Sequence, residues 1–264
     1  MKLTVLVENT SLRPELACEH GLSLYLETKE HKILFDAGQS SAFADNAEKL
    51  GIDLSDVDFA VLSHGHYDHG GGLAYFLERN DHAPVYLNRA AFGDHRDGTG
   101  RNIGIDPALR ESGRIRFADE MLEIAPGVEL HACNNRPVLQ EIDSAGLLCR
   151  QGDSLLPEKF RHEQYLLLQE EGKRILISGC SHKGVVNIAS WFRADVLVGG
   201  FHFMNVPVEG DGARRLDAAA EALLALPTCY YTGHCTGAAQ YDYLHDRMGE
   251  RLEYLATGSV LTFS

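Results

Sequence analysis

The chain has 264 residues, of which 44% are hydrophobic. That is enough for one large domain with a real core, and the length alone does not demand a second, so the expectation is a single domain over 1–264. The formal net charge is −14, from 38 acidic and 24 basic residues with no block of Lys or Arg, which counts against DNA or RNA as a partner because phosphate binding needs a basic footprint. A small anionic substrate stays open, since bound divalent ions can make a site locally positive. No segment approaches the ~20 apolar residues that would cross a membrane. The amino-terminal MKLTVLVENT reads as a strand rather than a signal peptide. The six Cys form no C-x-x-C pair, which suits free thiols in a reduced, cytoplasmic protein.

Short apolar or alternating runs predict strands at Leu3–Val7, Leu22–Glu27 and Lys32–Phe35, the last two joined by a polar turn at Lys29–Lys32. Ser40 or Ser41 is placed to cap a helix over Ala42–Leu50, with Gly51 as its stop. Phe59–Leu62 reads as a buried strand, Leu73–Arg79 as helical and Pro84–Leu87 as a strand. Gly93–Pro107 is polar and glycine-rich, which predicts a loop. Arg114–Leu130 predicts two or three short strands around a Pro126-Gly127 turn. Asn134–Phe160 reads as a long loop over the site, where specificity often resides. Strands follow at Gln164–Gln169 and Lys173–Ser178, a helix at Lys183–Phe192, a strand at Asp195–Val198, an amphipathic helix at Gly212–Leu226, a strand at Cys229–Thr232 and a helix at Ala238–Met248. Alternating strands and helices put the chain in the α/β or α+β class with a central layer of sheet.

The most informative stretch is VLSHGHYDHGGG at 61–72. It sets His64, His66, Asp68 and His69 within six residues, at the carboxyl end of a predicted strand and ahead of a glycine run that lets the backbone turn tightly. Imidazoles and a carboxylate are the ligand set of zinc and its neighbours, and this spacing can serve two ions. A solvated histidine-rich turn, the plain alternative, would not need this density. Four other segments repeat one pattern, in which a strand ends, a small residue follows and a reactive residue appears. They carry Asp36, then Cys180 and His182, then His202, then His234. A lone strand-end His is usually just hydrogen-bonded and a buried Cys is usually inert, but a shared location at strand ends is what a binuclear site requires. Asp36 fits a role behind the ligands, orienting a histidine or its loop. The remaining histidines, His31, His82, His95, His131, His162 and His245, lie in ordinary contexts and read mostly as surface or core residues.

These residues resemble the metallo-β-lactamase fold superfamily, whose signature His-x-His-x-Asp-His stands here as His64, His66, Asp68 and His69. The phrases LTVLVENT, EHGLSLYLET, ILFDAGQS, ILISGCSHKGVVNI, VGGFHF and YTGHCTG resemble, within it, the subfamily of the methanopterin-biosynthesis dihydropterin–ribofuranosylaminobenzene phosphate synthase. The resemblance implies an α+β, four-layer αββα sandwich with a metal site at the edge of its two sheets. It implies two divalent ions, zinc first, with manganese or iron as alternatives. One would be held by His64, His66 and a third residue, the other by Asp68, His69 and His234. The Gly-His turn that supplies the third histidine elsewhere is absent, which makes His182 the substitute, and Cys180 stands where other members carry a bridging Asp. His202 and His20 are implied as substrate contacts.

The expected activity is that of a metal-dependent hydrolase-like enzyme acting on a small phosphorylated or ester-type molecule. The ions would supply an activated hydroxide or stabilise a leaving group, with Asp68 orienting the nucleophile. A pterin-diphosphate-dependent transferase is the alternative that the subfamily implies. From other classes come a di-iron redox protein, whose relatives use Glu where His66 stands, and a binding protein that has lost turnover, against which the intact ligand set argues.

Overall fold

The computed structural model describes residues 1–263. The chain begins with β1 (Lys2–Val7), β2 (Ser23–Glu27) and β3 (Lys32–Phe35), then α1 (Ala42–Lys49), β4 (Phe59–Val61), α2 (Tyr67–Gly70), α3 (Leu73–Arg79) and β5 (Val85–Asn88). Next come β6 (His95–Arg96), β7 (Ile115–Ala118), β8 (Met121–Ala125), β9 (Val128–His131), β10 (Leu148–Gln151) and β11 (Ser154–Pro157). The remainder is β12 (Tyr165–Glu170), β13 (Lys173–Ile177), α4 (Val185–Phe192), β14 (Val196–Val198), α5 (Gly210–Leu224), β15 (Cys229–Thr232), α6 (Ala238–Met248), β16 (Leu252–Tyr254) and β17 (Val260–Thr262).

Two seven-stranded sheets form the frame, in the orders β17-β1-β2-β3-β4-β5-β7 and β16-β15-β14-β13-β12-β9-β8. Each begins with antiparallel pairs and passes to parallel ones, from β3–β4 in the first sheet and from β13–β14 in the second. The alternation of side chains along each strand decides the layers. Ile33 and Phe35 of β3 face Ile175 and Ile177 of β13 in the core between the sheets, together with Val61, Leu166, Leu168 and Val198. Leu34 of β3 points outward, onto Phe43 and Ala47 of α1 and Phe76 of α3. Leu176 of β13 and Leu197 of β14 point to the other outside, against Ile188 of α4, Leu216 and Leu223 of α5 and Leu244 of α6. The result is the helix–sheet–sheet–helix sandwich the resemblance implied.

Several predicted elements shift. Ser41 stands at the α1 N-terminus without capping it through its side chain, and the Ser40 hydroxyl accepts from the Ala42 N–H instead. Asn134–Phe160 is not structureless, because it contains the β10–β11 hairpin, which adds β6 from the Gly93–Pro107 loop to make a three-stranded sheet. Strands β16 and β17 had no sequence prediction; β17 is only three residues long, and pairs with β1 across nearly the whole chain length.

Among the described residues, no helix is long and apolar enough to cross a membrane.

Candidate metal centre

The parallel strands β3, β4, β13, β14 and β15 all end on one edge of the sandwich, and every predicted site residue except His20 lies in the turn after one of them. The turn residues are forced into unusual backbone conformations. Asp36, Ser181, His202 and His234 all have φ between 50° and 58°, a left-handed region that non-glycine residues enter at a cost of about 1 kcal/mol or more. Glycines let the turns pack against one another. A Cβ on Gly65 would lie 2.0 Å from the Ala91 carbonyl oxygen, and one on Gly179 would lie 2.2 Å from Ser63 Oγ.

The convergence produces two groups of buried donors, His64, His66 and His182 in one and Asp68, His69, Cys180 and His234 in the other, and His66 also falls in a third buried group with His95 and His162. Hydrogen bonds behind them set the imidazole tautomers. His69 Nδ1 donates to Asp36 Oδ2 at 2.6 Å, which leaves the Nε2 lone pair facing inward, 3.1 Å from both Cys180 Sγ and His234 Nε2. His234 Nδ1 donates to Asn9 Oδ1 at 2.9 Å and its Nε2 faces Asp68 Oδ2 at 3.3 Å. Burial works to lower this imidazole, but the Asp68 hydrogen bond outweighs it and holds it at about 8, so without a cation Nε2 keeps a proton that a metal ion would displace. Ser63 Oγ donates to Asp36 Oδ2 and accepts from His64 Nδ1, which aims His64 Nε2 at His182 Nε2, 3.3 Å away. Two imidazole lone pairs 3 Å apart repel unless a proton or cation stands between them. His66 Nε2 and His182 Nδ1, both buried, have no hydrogen-bond partner among the described residues.

The electrostatics agree with that reading. Burial, then the neighbouring imidazoles, holds His64 and His182 well below the ordinary histidine range, and burial pushes His66 down to about 3. These rings are therefore neutral near pH 7, the form that ligates metal. Burial works to raise the Asp68 carboxyl, but His69 and the His234 hydrogen bond outweigh it and keep the group ionised. Cys180 is pushed up by burial and by its neighbour Cys235, so its thiolate requires a cation beside it. The donor set thus fits two divalent ions, with His64, His66 and His182 for one and Asp68, His69, Cys180 and His234 for the other.

The other predicted residues surround these groups. Asp36 sits behind them, accepting from the Ser63 N–H as well as from Ser63 Oγ and His69. His202 packs its ring 4.3 Å from that of His182 and lines a cavity of about 460 Å³. Burial lowers it to about 4. His20, partly exposed at the rim, places Nε2 3.4 Å from Asp68 Oδ2. The cavity has an apolar floor of Phe201, Phe203 and Val206 under the polar Gln140, Glu141 and Asp143, so the segment after Asn134 does reach over it. Arg215 lies at its rim, paired with Asp143 at 3.1 Å.

Sequence reasoning missed the clamp behind the centre, Glu158–Gln164. His162 Nδ1 accepts from the Gly65 N–H at 2.8 Å, and Gln164 donates from its backbone to the Ser63 carbonyl and from Nε2 to the Leu62 carbonyl. Glu163 Oε1 accepts from the His182 N–H and Oε2 from the Lys183 N–H and the Tyr165 hydroxyl. Phe160 stacks on His182, with ring centroids 4.3 Å apart and planes 6° apart. One short segment therefore grips both ligand turns. Its only sequence signal was the run of polar residues His162, Glu163 and Gln164 at the mouth of a strand. Glu8, fully buried and accepting from the His234 N–H, was missed in the same way.

A family model described as the metallo-beta-lactamase superfamily matches residues 17–130. The uncharacterized protein MJ0448 of Methanocaldococcus jannaschii is 31% identical over 214 residues, covering 77% of this chain and 80% of that protein. The 7,8-dihydropterin-6-methyl-4-(beta-D-ribofuranosyl)-aminobenzene-5'-phosphate synthase of the same organism is 25% identical over 272 residues, covering 93% of this chain and 90% of the synthase. Among solved structures, Tm1679, described as a metal-dependent hydrolase of the beta-lactamase superfamily, superposes with a TM-score of 0.81 at 27% identity, covering 100% of this chain and 99% of that one.

Proposed function

Because this chain belongs to the metallo-β-lactamase superfamily, we propose that it is a metal-dependent hydrolase of a small phosphorylated or ester-type molecule, bound in the cavity beside His182 and His202. The observation that carries this reading is the inward convergence of imidazole lone pairs with Asp68 and Cys180 at 3.1–3.6 Å, an arrangement that a cation stabilises. When bound, a divalent pair supplies Lewis acidity toward a carbonyl or phosphoryl oxygen and lowers the pKa of water to about 7.

The protein's own residues do the rest. Asp68 is held ionised with Oδ2 between His69, His234 and His20, so it is placed both to ligate and to accept a hydrogen bond from the attacking water. His202 is neutral and lines the cavity, and can hydrogen-bond a substrate oxygen. His20 approaches Asp68 from the exposed side, where it can steady the end of a substrate that enters there. The apolar floor excludes water from the body of the substrate. A cavity of about 460 Å³ suits a small molecule, and the −14 charge argues against nucleic acid.

A second reading is transfer, with a diphosphate leaving group in place of hydrolysis. The likeness to the synthase over most of both chains and the aromatic floor of Phe201 and Phe203 favour it. Metal content and turnover of phosphomonoesters, phosphodiesters, esters and lactones by the purified chain test the first reading, with His66→Ala as control. If that variant kept full metal and full turnover, the reading would fail. Turnover only when an amine acceptor is added to a diphosphate donor would move the assignment to the transferase. Iron at both positions with a visible oxo-bridge band would move it to redox chemistry, which imidazole at position 66 disfavours relative to a carboxylate.

A further inference from the structure

The β6–β10–β11 sheet presents a puzzle of stability. None of its residues belongs to the three apolar clusters that hold the sandwich together, and all of β11 is exposed. A small sheet without an apolar face is marginal in water. Its strand pairing nevertheless sets His95 directly opposite Cys149, and Glu158 follows immediately after β11. Donor atoms of these three residues lie within 4.8 Å of one another.

We propose that His95, Cys149 and Glu158 form a third metal site, taking zinc, that staples this sheet to the back of the metal centre. His95 Nε2 donates to the Ala90 carbonyl at 3.1 Å, the bond that ligand histidines characteristically make with the nitrogen away from the metal, and its Nδ1 faces Glu158 Oε2 at 2.7 Å. Glu158 Oε1 is occupied by the Lys159 and Phe160 N–H groups, which leaves Oε2 for a cation. Cys149 is half-buried and provides both a sulfur donor and a path for entry. Imidazole, thiolate and carboxylate together are a zinc set.

An independent feature points to the same place. His162 is 1% exposed, and its Nδ1 is used as an acceptor by the Gly65 N–H, so in the neutral ring the proton is on Nε2. Among the described residues that N–H has no partner, and it lies 3.9 Å from Glu158 Oε2, positioned to donate to a water completing the zinc shell. Binding releases the Cys149 thiol proton to solvent and leaves the sulfur as thiolate. A buried His95–Glu158 ion pair, with the Cys149 thiol donating to the Glu158 carboxylate, would account for the 2.7 Å contact and the facing thiol, but not for the unpartnered His162 N–H.

The test is zinc content of the full chain, saturated with zinc and desalted, for wild type, Cys149→Ala and Glu158→Gln, and for Cys149→Ala combined with His66→Ala. The expected result is one zinc fewer in Cys149→Ala and in Glu158→Gln than in wild type, and the same decrement for Cys149→Ala when His66 is already replaced. With cobalt, Cys149→Ala and Cys180→Ala should each remove part of the thiolate charge-transfer band. Equal zinc contents in wild type and both single variants would overturn the proposal and leave His95 and Glu158 as an ion pair. Failure of His66→Ala to lose metal would instead count against the paired-ion centre, so the two readings fail separately.

Discussion

The two halves of the sandwich build the metal centre differently. The first half concentrates His64, His66, Asp68 and His69 in one turn after β4, whereas the second half scatters Cys180, His182, His202 and His234 over the ends of β13, β14 and β15. A contiguous turn carries its own geometry, because the glycines beside the histidines and the α2 turn set the directions of the side chains over a few residues. The scattered residues have no local reason to meet. They meet because three parallel strands in register end at one edge, and because Glu163 and Phe160 hold the Cys180–His182 turn at a fixed height.

That contrast can be tested, beginning with its strongest consequence. His66→Ala should abolish turnover and lower metal affinity beyond the ~10–100-fold that outer-shell changes produce, as read by elemental analysis and activity on the same preparation. On the other half, Cys180→Ala should cost one ion while His64, His66 and His182 keep theirs; loss of both ions, or of neither, would show that the halves do not each build one position. Glu163→Gln acts on the segment that joins the two turns. It replaces one carboxylate oxygen that accepts from the backbone N–H groups after Ser181, so metal affinity should fall ~10–100-fold with the fold retained by circular dichroism. An unchanged affinity would mean that the sheets alone position His182.

The mildest effect concerns the metal-free protein. His64, His66 and His182 are held neutral by burial when folded, yet take up protons at about 6.5 in the unfolded chain. Below that pH the unfolded state binds more protons, so the contribution of these three rings should be full above about pH 6.5 and decline as pH falls toward about 3, where His66 itself titrates in the fold. His234, raised to about 8, works in the opposite sense and loses its contribution as pH rises through about 8. Urea midpoints of the metal-free chain at pH 7.5, 6 and 5 check this. A flat profile would mean that these histidines are hydrated rather than buried.

Much of this was legible in the residues. Most strands of the two large sheets and the helices between them follow from apolar runs and turns, with Lys32–Phe35, Leu73–Arg79, Cys229–Thr232 and Ala238–Met248 located to the residue, whereas β6, β10 and β11 lie in segments that read as loops. Helices α4 and α5 begin or end two residues from their predicted bounds; α4 starts after its N-cap Gly184, and α5 starts after Glu209 and ends at Leu224. Strand β17 was invisible, since its partner β1 lies at the opposite end of the chain and pairing, not composition, makes it a strand.

What the sequence by itself determined is the candidate turn. His64, His66, Asp68 and His69 mark it as a metal-binding candidate through residue type and spacing, because a few residues of backbone suffice to aim their side chains. What only the tertiary structure decided is which distant residues complete and support that turn. His162, His95 and Glu158 look ordinary in the sequence, Glu163 carries no motif, and Glu8 and Asn9 lie in the phrase LTVLVENT without any sign of their role at the site. Their roles arise from burial and hydrogen bonds between segments up to 226 residues apart, and a linear pattern does not encode such contacts until the strands are in register.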